Sequence, residues 1–306
     1  MSFKKITHLV LLIFLVNACK GQVDVSLNNG NLSSGATAMC TENYLTNTPY
    51  ASGTGTLSDP FIICTADQLA EINNNLGHYK SVFSIQRDLD FSNVVFDGIG
   101  DSTNAFMGKL LGNSHVISNM TINRISGHYL GLLNNADLAY VSNLTFLNPS
   151  ISAPNSDNVG ALMGYCSASV IKNVSVLGSN ISGNRYVGSL MGDTYGCSGR
   201  DIIINGIVSS VTSYSGGLSG YASSLRMTNI EVDIVINSPN AFGIGGLIGG
   251  DGSPDHIQNA HVRGTLNGSQ EIGGFEGDNG DGLLIYRSSF TGTLNGTSNI
   301  GGFTGA

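Results

Sequence analysis

Apolar positions in this chain follow two rhythms. Up to about Asn123 they fall in separate short groups. From Leu130 onward a six-residue phrase of glycine and apolar residues returns again and again: Leu130-Gly-Leu-Leu-Asn-Asn, Val159-Gly-Ala-Leu-Met-Gly, Val187-Gly-Ser-Leu-Met-Gly, Ser215-Gly-Gly-Leu-Ser-Gly, Ile244-Gly-Gly-Leu-Ile-Gly, Ile272-Gly-Gly-Phe-Glu-Gly and Ile300-Gly-Gly-Phe-Thr-Gly. Their first glycines, Gly131, Gly160, Gly188, Gly216, Gly245, Gly273 and Gly301, are spaced by 28 or 29 residues. A fixed period of this size marks repeats that bury their apolar face only by stacking on one another. Between the phrases, stretches such as Asn173-Val-Ser-Val alternate polar and apolar residues at the period of a strand, with no helical periodicity. The predicted fold is all-β, a parallel β-solenoid. Each coil has room for roughly three short strands at ~3.3 Å per residue, and coils stack at ~4.8 Å.

Alternation assigns the sides of the phrase. Leu133, Leu162, Leu190, Leu218, Leu247, Phe275 and Phe303 form the predicted interior ladder, and Ser219, Glu276 and Thr304 fall on the outward face. The flanking glycines are expected where the large side chain lies over neighbouring backbone.

Residues 53–125 read as an N-terminal cap and first coil, and 126–306 as the repeat solenoid with its last repeat incomplete. In the cap, Thr65 with Gln68 forms a capping-box pattern, Leu69, Ile72 and Leu76 an apolar set, and Gly77 a stop, predicting one short helix. Such a helix protects the exposed apolar end of a stack of coils.

The N-terminus has the order of a secretory signal, with Lys4 and Lys5, an apolar run from Ile6 to Val16, then Asn17 and Ala18 before Cys19. Val16 to Cys19 resembles a bacterial lipobox, which implies a signal peptide over 1–18, lipid attachment at Cys19 and a flexible tether over 19–52. Lys20 is not the Asp that retains many lipoproteins in the inner membrane. An outer-membrane or cell-surface location is therefore expected, with the membrane itself as a partner through the lipid.

Composition narrows the partners. The formal net charge is -8, only 11% of residues are charged, and the chain has 42 glycines and no Trp. A negative surface excludes nucleic acid, whose binding requires basic side chains to displace counterions. Triplets such as Asn143-Leu-Thr are read as turn composition in a bacterial lipoprotein.

The segments "GTLSDPFIICTADQLAEI", "SIQRDLDF" and "FMGKLLGNSHVISNMTI", followed by the glycine phrases, resemble the bacterial GLUG-repeat proteins. The resemblance runs from about Gly53 to the end of the sequence. It implies a secreted or surface β-solenoid of the kind found in adhesins, surface proteases and carbohydrate-active proteins, and supplies no catalytic residue. The first repeat is degenerate here. No His-Glu-x-x-His occurs, so metalloprotease chemistry does not carry over.

Three sets of side chains are candidates for function. Tyr129, Tyr186 and Tyr214 lie two residues before the first Gly of a phrase, and Tyr165 and Tyr221 lie five after it, so stacking aligns them across coils. Exposed aromatic rows hold sugar rings by their apolar faces; the plain alternative is a structural stack at a corner. Asp251, Asp255, Asp278 and Asp281 follow the phrase on consecutive coils, where solvated turns, a weak Ca2+ site or a catalytic carboxylate pair are the open readings. No other cofactor is implied. His256 and His261, near Asp255 and Glu271, fit no metal spacing. Cys166 and Cys197 fall in neighbouring loops one coil apart, close enough for a disulfide, and elimination pairs Cys40 with Cys64.

These features point to a non-enzymatic, lipid-anchored surface protein that binds a glycan or a surface protein or acts as a scaffold, the alternative being a β-helix polysaccharide lyase or hydrolase. The phrase beginning at Ile300 breaks off at Ala306. This predicts an exposed last coil open to end-to-end association, and favours a piece of a longer repeat protein.

Overall fold

The structure, a computed structural model, describes residues 40–41, 45–46 and 49–305. The signal segment and Cys19 lie outside them.

The chain winds as a parallel β-solenoid of about eight turns. Each named strand pairs in parallel with its counterpart one coil away, as in the register Val170↔Ser198, Ser198↔Arg226 and Arg226↔His256. A long sheet of 17 strands wraps most of each coil, and a separate sheet of six holds the glycine phrases: Leu133–Asp137, Met163–Ser167, Met191–Tyr195, Ser219–Ser223, Ile248–Asp251 and Glu276–Asp278.

Corners are made by residues in the left-handed region. Asn143, Asn173, Asp201, Asn229 and Asn259 form one such column, with φ between 50° and 60°. Asn and Asp tolerate this conformation better than other side chains. Their amides also bond along the stack: Asn173 Nδ2 donates to Asn143 Oδ1, Asn229 to Asp201 Oδ1 and Asn259 to Asn229 Oδ1, each at 2.9 Å.

The glycine phrase is a tight turn between the two sheets. A Cβ on Gly188 would lie 2.2 Å from the Met191 carbonyl oxygen, so the first glycine is there for the turn itself. A Cβ on Gly220 would lie 2.1 Å from the carbonyl carbon of Tyr186, so the last glycine lets the six-stranded sheet press against the neighbouring coil.

Inside the turn, Leu133, Leu162, Leu190, Leu218, Leu247 and Phe275 are fully buried. The expected alternation does not hold beside them: Ser219 and Glu276 are also fully buried, because the backbone turns within the phrase and carries both positions inward. The degenerate first phrase is one residue short. Leu130 pairs with Val159 but Leu133 with Met163, so Leu133 joins the methionine column instead of the leucine one. Phe303 stacks on Phe275 with ring centroids 5.3 Å apart and is 60% exposed.

The cap holds a helix at Ala66–Ala70, where Thr65 Oγ1 accepts from the Gln68 N–H and Gln68 Oε1 accepts from the Cys64 N–H at 2.7 Å. Leu69 and Ile72 are buried with Phe83 and Phe106 at this end of the core. The helix is shorter than its apolar set predicts. Asn75 Nδ2 donates to the Glu71 carbonyl at 2.8 Å, the chain tightens into 3-10 turns, and Leu76 is left exposed. The tether boundary at 52 also falls inside packed structure, since Tyr50 packs against Phe61 and Ser52 bridges to Ile62. Disulfides join Cys40 to Cys64 and Cys166 to Cys197, with Cα separations of 5.3 and 6.4 Å. No helix among the described residues is long and apolar enough to cross a membrane.

Candidate functional site

A stripe of tyrosines runs along the stack beside the glycine turn. It is built on a second left-handed column, in which Tyr129, Asn158, Tyr186, Tyr214, Gly243 and Glu271 have φ between 55° and 69°. A bulky residue in this conformation costs roughly 1–2 kcal/mol, and glycine would avoid the cost, as it does at Gly243. Backbone strain of this kind persists where packing overrides it and collects at functional positions.

The structure divides the five predicted tyrosines into two groups. Tyr129 and Tyr165 stack with centroids 5.2 Å apart. Tyr186 stacks on Tyr214 at 5.4 Å with ring planes 18° apart, and Tyr221 lies 5.1 Å from Tyr186 and 5.5 Å from Tyr214. Phe242, which sequence reasoning missed, closes this group 5.1 Å from Tyr214. Between the groups the column carries Asn158, whose amide reaches Asp193 Oδ2 at 3.5 Å. All five tyrosines and Phe242 are half-buried.

Charged groups frame the rings. The Arg185 guanidinium sits 4.8 Å from the Tyr186 centroid and pairs with Asp157 at 3.1 Å. Tyr214 donates its hydroxyl proton to Asp278 Oδ2 at 3.2 Å. Burial pushes the Tyr214 hydroxyl far above the usual phenol range, and Asp278 adds to the shift. Tyr165 and Tyr221 are raised by burial first and then by nearby charges, Asp193 among them. Asp193 itself is pushed up to about 6 by burial, against the Thr194 N–H and Arg185. The stripe offers apolar ring faces edged by hydroxyls, carboxylates, an amide and a guanidinium, the donor and acceptor set that suits a sugar chain.

The four aspartates expected to cluster do not stay together. Asp278 turns to Tyr214, and Asp281 is exposed, touching the others only through its backbone N–H. Asp251 and Asp255 point into the coil and meet Glu276, with one carboxylate oxygen from each within 4.8 Å of the others. Glu276 was assigned outward by alternation, and only the turn geometry reveals its direction. Burial pushes Glu276 up to about 9, with the charges of Asp251, Asp255 and Asp278 adding to it. Asp255 rises to about 7, again through burial first, and burial also raises Asp251. These three are shut away from solvent, so no sugar chain can reach them as an acid and base pair.

No family model matches the chain. It is 31% identical over 156 residues to halomucin of Haloquadratum walsbyi, a match covering 47% of this chain and 2% of halomucin. It is 35% identical over 135 residues to a "Putative Gly-rich membrane protein" of Evansella cellulosilytica, covering 42% of this chain and 15% of that protein. The matched region is thus a small part of both relatives. Among solved structures, a "putative immunoglobulin A1 protease" from Bacteroides ovatus superposes with a TM-score of 0.54 at 17% identity, covering 83% of this chain and 74% of that one. This likeness is one of fold.

Proposed function

We propose that the chain is a non-catalytic binding module, displayed at the bacterial cell surface, which takes up a glycan chain along its tyrosine stripe. The observation that carries this reading is the stripe itself. Tyr129, Tyr186 and Tyr214 occupy left-handed positions that favour Gly or Asn, so large aromatic rings stand there in spite of the backbone cost. From the level of Tyr129 to that of Phe242 the stripe spans four coil steps, or ~19 Å at ~4.8 Å per step, enough for an extended ligand along the solenoid axis.

The location draws support from the signal and lipobox pattern ending at Cys19, from the GLUG-type phrases, and from relatives whose names refer to a mucin and a membrane protein. The repeat architecture suits display, because each added coil extends the same surface.

A glycan array probed with the purified protein tests this function, alongside a reducing-end assay on the same polysaccharides. Saturable binding without new reducing ends is the expected result. Cleavage would replace the binding module with an enzyme, and no binding to any glycan would leave the tyrosines as a structural stack.

A further inference from the structure

Among the described residues the buried polar side chains are uncharged, serines for the most part, except at one corner where three carboxylates lie inside the coil. Glu276 stands in a column that holds Met163, Met191, Ser219 and Ile248 in the preceding coils. Asp251 stands in the column of Cys166, Thr194 and Ala222. Asp255 directly precedes His256, as Leu225 precedes Arg226 and Cys197 precedes Ser198, and those three second residues share a register. Three carboxylates therefore replace apolar or uncharged side chains in adjacent interior columns.

Of their six oxygens two are hydrogen-bonded and four are not. Asp251 Oδ1 accepts from the Gly280 and Asp281 N–H groups, and Asp255 Oδ1 accepts from the Leu225 N–H at 2.7 Å. Asp251 Oδ2, Asp255 Oδ2 and both oxygens of Glu276 have no hydrogen-bond partner, although Asp255 and Glu276 are 0% exposed. No Lys, Arg or His among the described residues pairs with any of them. A buried carboxylate that lacks both a partner and a proton is far too costly to persist, so these three either take up protons or share a cation.

We propose that Asp251, Asp255 and Glu276 bind one Ca2+ inside the coil. The free oxygens are hard donors of the type that Ca2+ takes at ~2.3–2.6 Å. Two oxygens on one such ion lie at most ~5 Å apart, and the three carboxylates meet this limit with ligand atoms within 4.8 Å of one another. Mg2+ suits the site less, because it demands a rigid octahedron and holds on to several waters. Ca2+ accepts an irregular shell completed by carbonyl oxygens or water. The role follows from position. Further back along the stack, these two corner columns are tied covalently by the Cys166–Cys197 disulfide. The ion ties the same corner where the chain has no cysteine, clamping the Gly252–Pro254 turn to the strand that bears Glu276.

The test is calorimetric titration of the chelator-stripped protein with CaCl2, together with elemental analysis after dialysis. One Ca2+ per chain and a thermal midpoint that rises with Ca2+ are expected. Glu276→Gln and Asp255→Asn each weaken binding at least tenfold, while Glu231→Gln, at an exposed strand position away from the trio, leaves it unchanged. Should a variant fail to fold, Tb3+ bound to the parent protein gives a second reading. Its emission, sensitised by Tyr221 beside Gly252, is displaced by Ca2+. The proposal is overturned if millimolar Ca2+ produces neither heat nor a change in midpoint, which would mean that protons neutralise the trio. It is equally overturned if Glu276→Gln and Asp255→Asn bind Ca2+ like the parent.

Discussion

Tyr214 and Asp278, 64 residues apart in sequence, meet through a 3.2 Å hydrogen bond from the phenol to the carboxylate. The bond joins the tyrosine stripe to the six-stranded sheet, and the Tyr214 ring lies over Gly243 and Gly250, where any Cβ would come within 2.6 Å of ring atoms. Removing only the hydroxyl separates the bond from the packing. Tyr214→Phe is expected to cost about 1 kcal/mol, and Tyr214→Ala distinctly more, in urea unfolding of the two variants beside the parent.

The glycine turn predicts a sharp contrast between two similar substitutions. Gly220→Ala drives a Cβ to 2.1 Å from Tyr186 backbone and should destabilise by about 1–3 kcal/mol or more. Gly77 has nothing within 4 Å and an ordinary φ, so Gly77→Ala should be neutral or stabilise by up to about 1 kcal/mol. Equal losses at both sites, read from thermal midpoints, would contradict the turn geometry.

Crosslinking of successive coils predicts a redox effect. The Cys166–Cys197 disulfide closes a segment of 31 residues in sequence separation. Cys166→Ala with Cys197→Ala should lower stability by about 2–4 kcal/mol, and reductant should lower the parent's thermal midpoint in the same direction.

Asp193 gives the stripe a pH signature. Its carboxyl is raised by burial to about 6 from an ordinary 3.8, so the folded chain holds this proton more tightly than the unfolded chain. The groups facing it are Arg185, the Thr194 N–H, Asn158, Tyr165 and Tyr221. The destabilisation is fully present above pH 6 and disappears as the pH falls toward 4. Asp193→Asn should therefore be more stable than the parent at pH 7, with the difference vanishing near pH 4. A constant difference between pH 4 and 7.5 would contradict the assigned cause.

Much of this architecture is legible in the sequence, because a solenoid repeats its demands. The glycine phrase, its period and the buried Leu190 and Leu218 follow from recurrence alone, as does the closeness of Cys166 to Cys197. What recurrence hides is direction within a turn. Glu276 reads as outward on strict alternation, yet the backbone reverses between Gly273 and Glu276 and carries it inside. The five tyrosines share a period, but the break between the two groups falls where Asn158 and Asp193 stand in the two tyrosine columns, residues with no aromatic signal. The asparagine corner is present in the sequence at Asn143, Asn173, Asn229 and Asn259, but its signal is weaker than that of the glycines that dominate the repeat.

The account rests on the stripe as a binding surface, and in the absence of Trp the chain's emission comes from its 11 tyrosines, five of them in the stripe. Tyrosine fluorescence titrated with the best ligand from the glycan array is the decisive measurement, made on the parent, on Tyr186→Ala with Tyr221→Ala, and on Tyr286→Ala, which removes an exposed ring in the last coil. The account predicts a saturable change in the parent, the same affinity in the Tyr286 variant, and at least a tenfold loss in the folded double variant. Unchanged affinity in the double variant would contradict it.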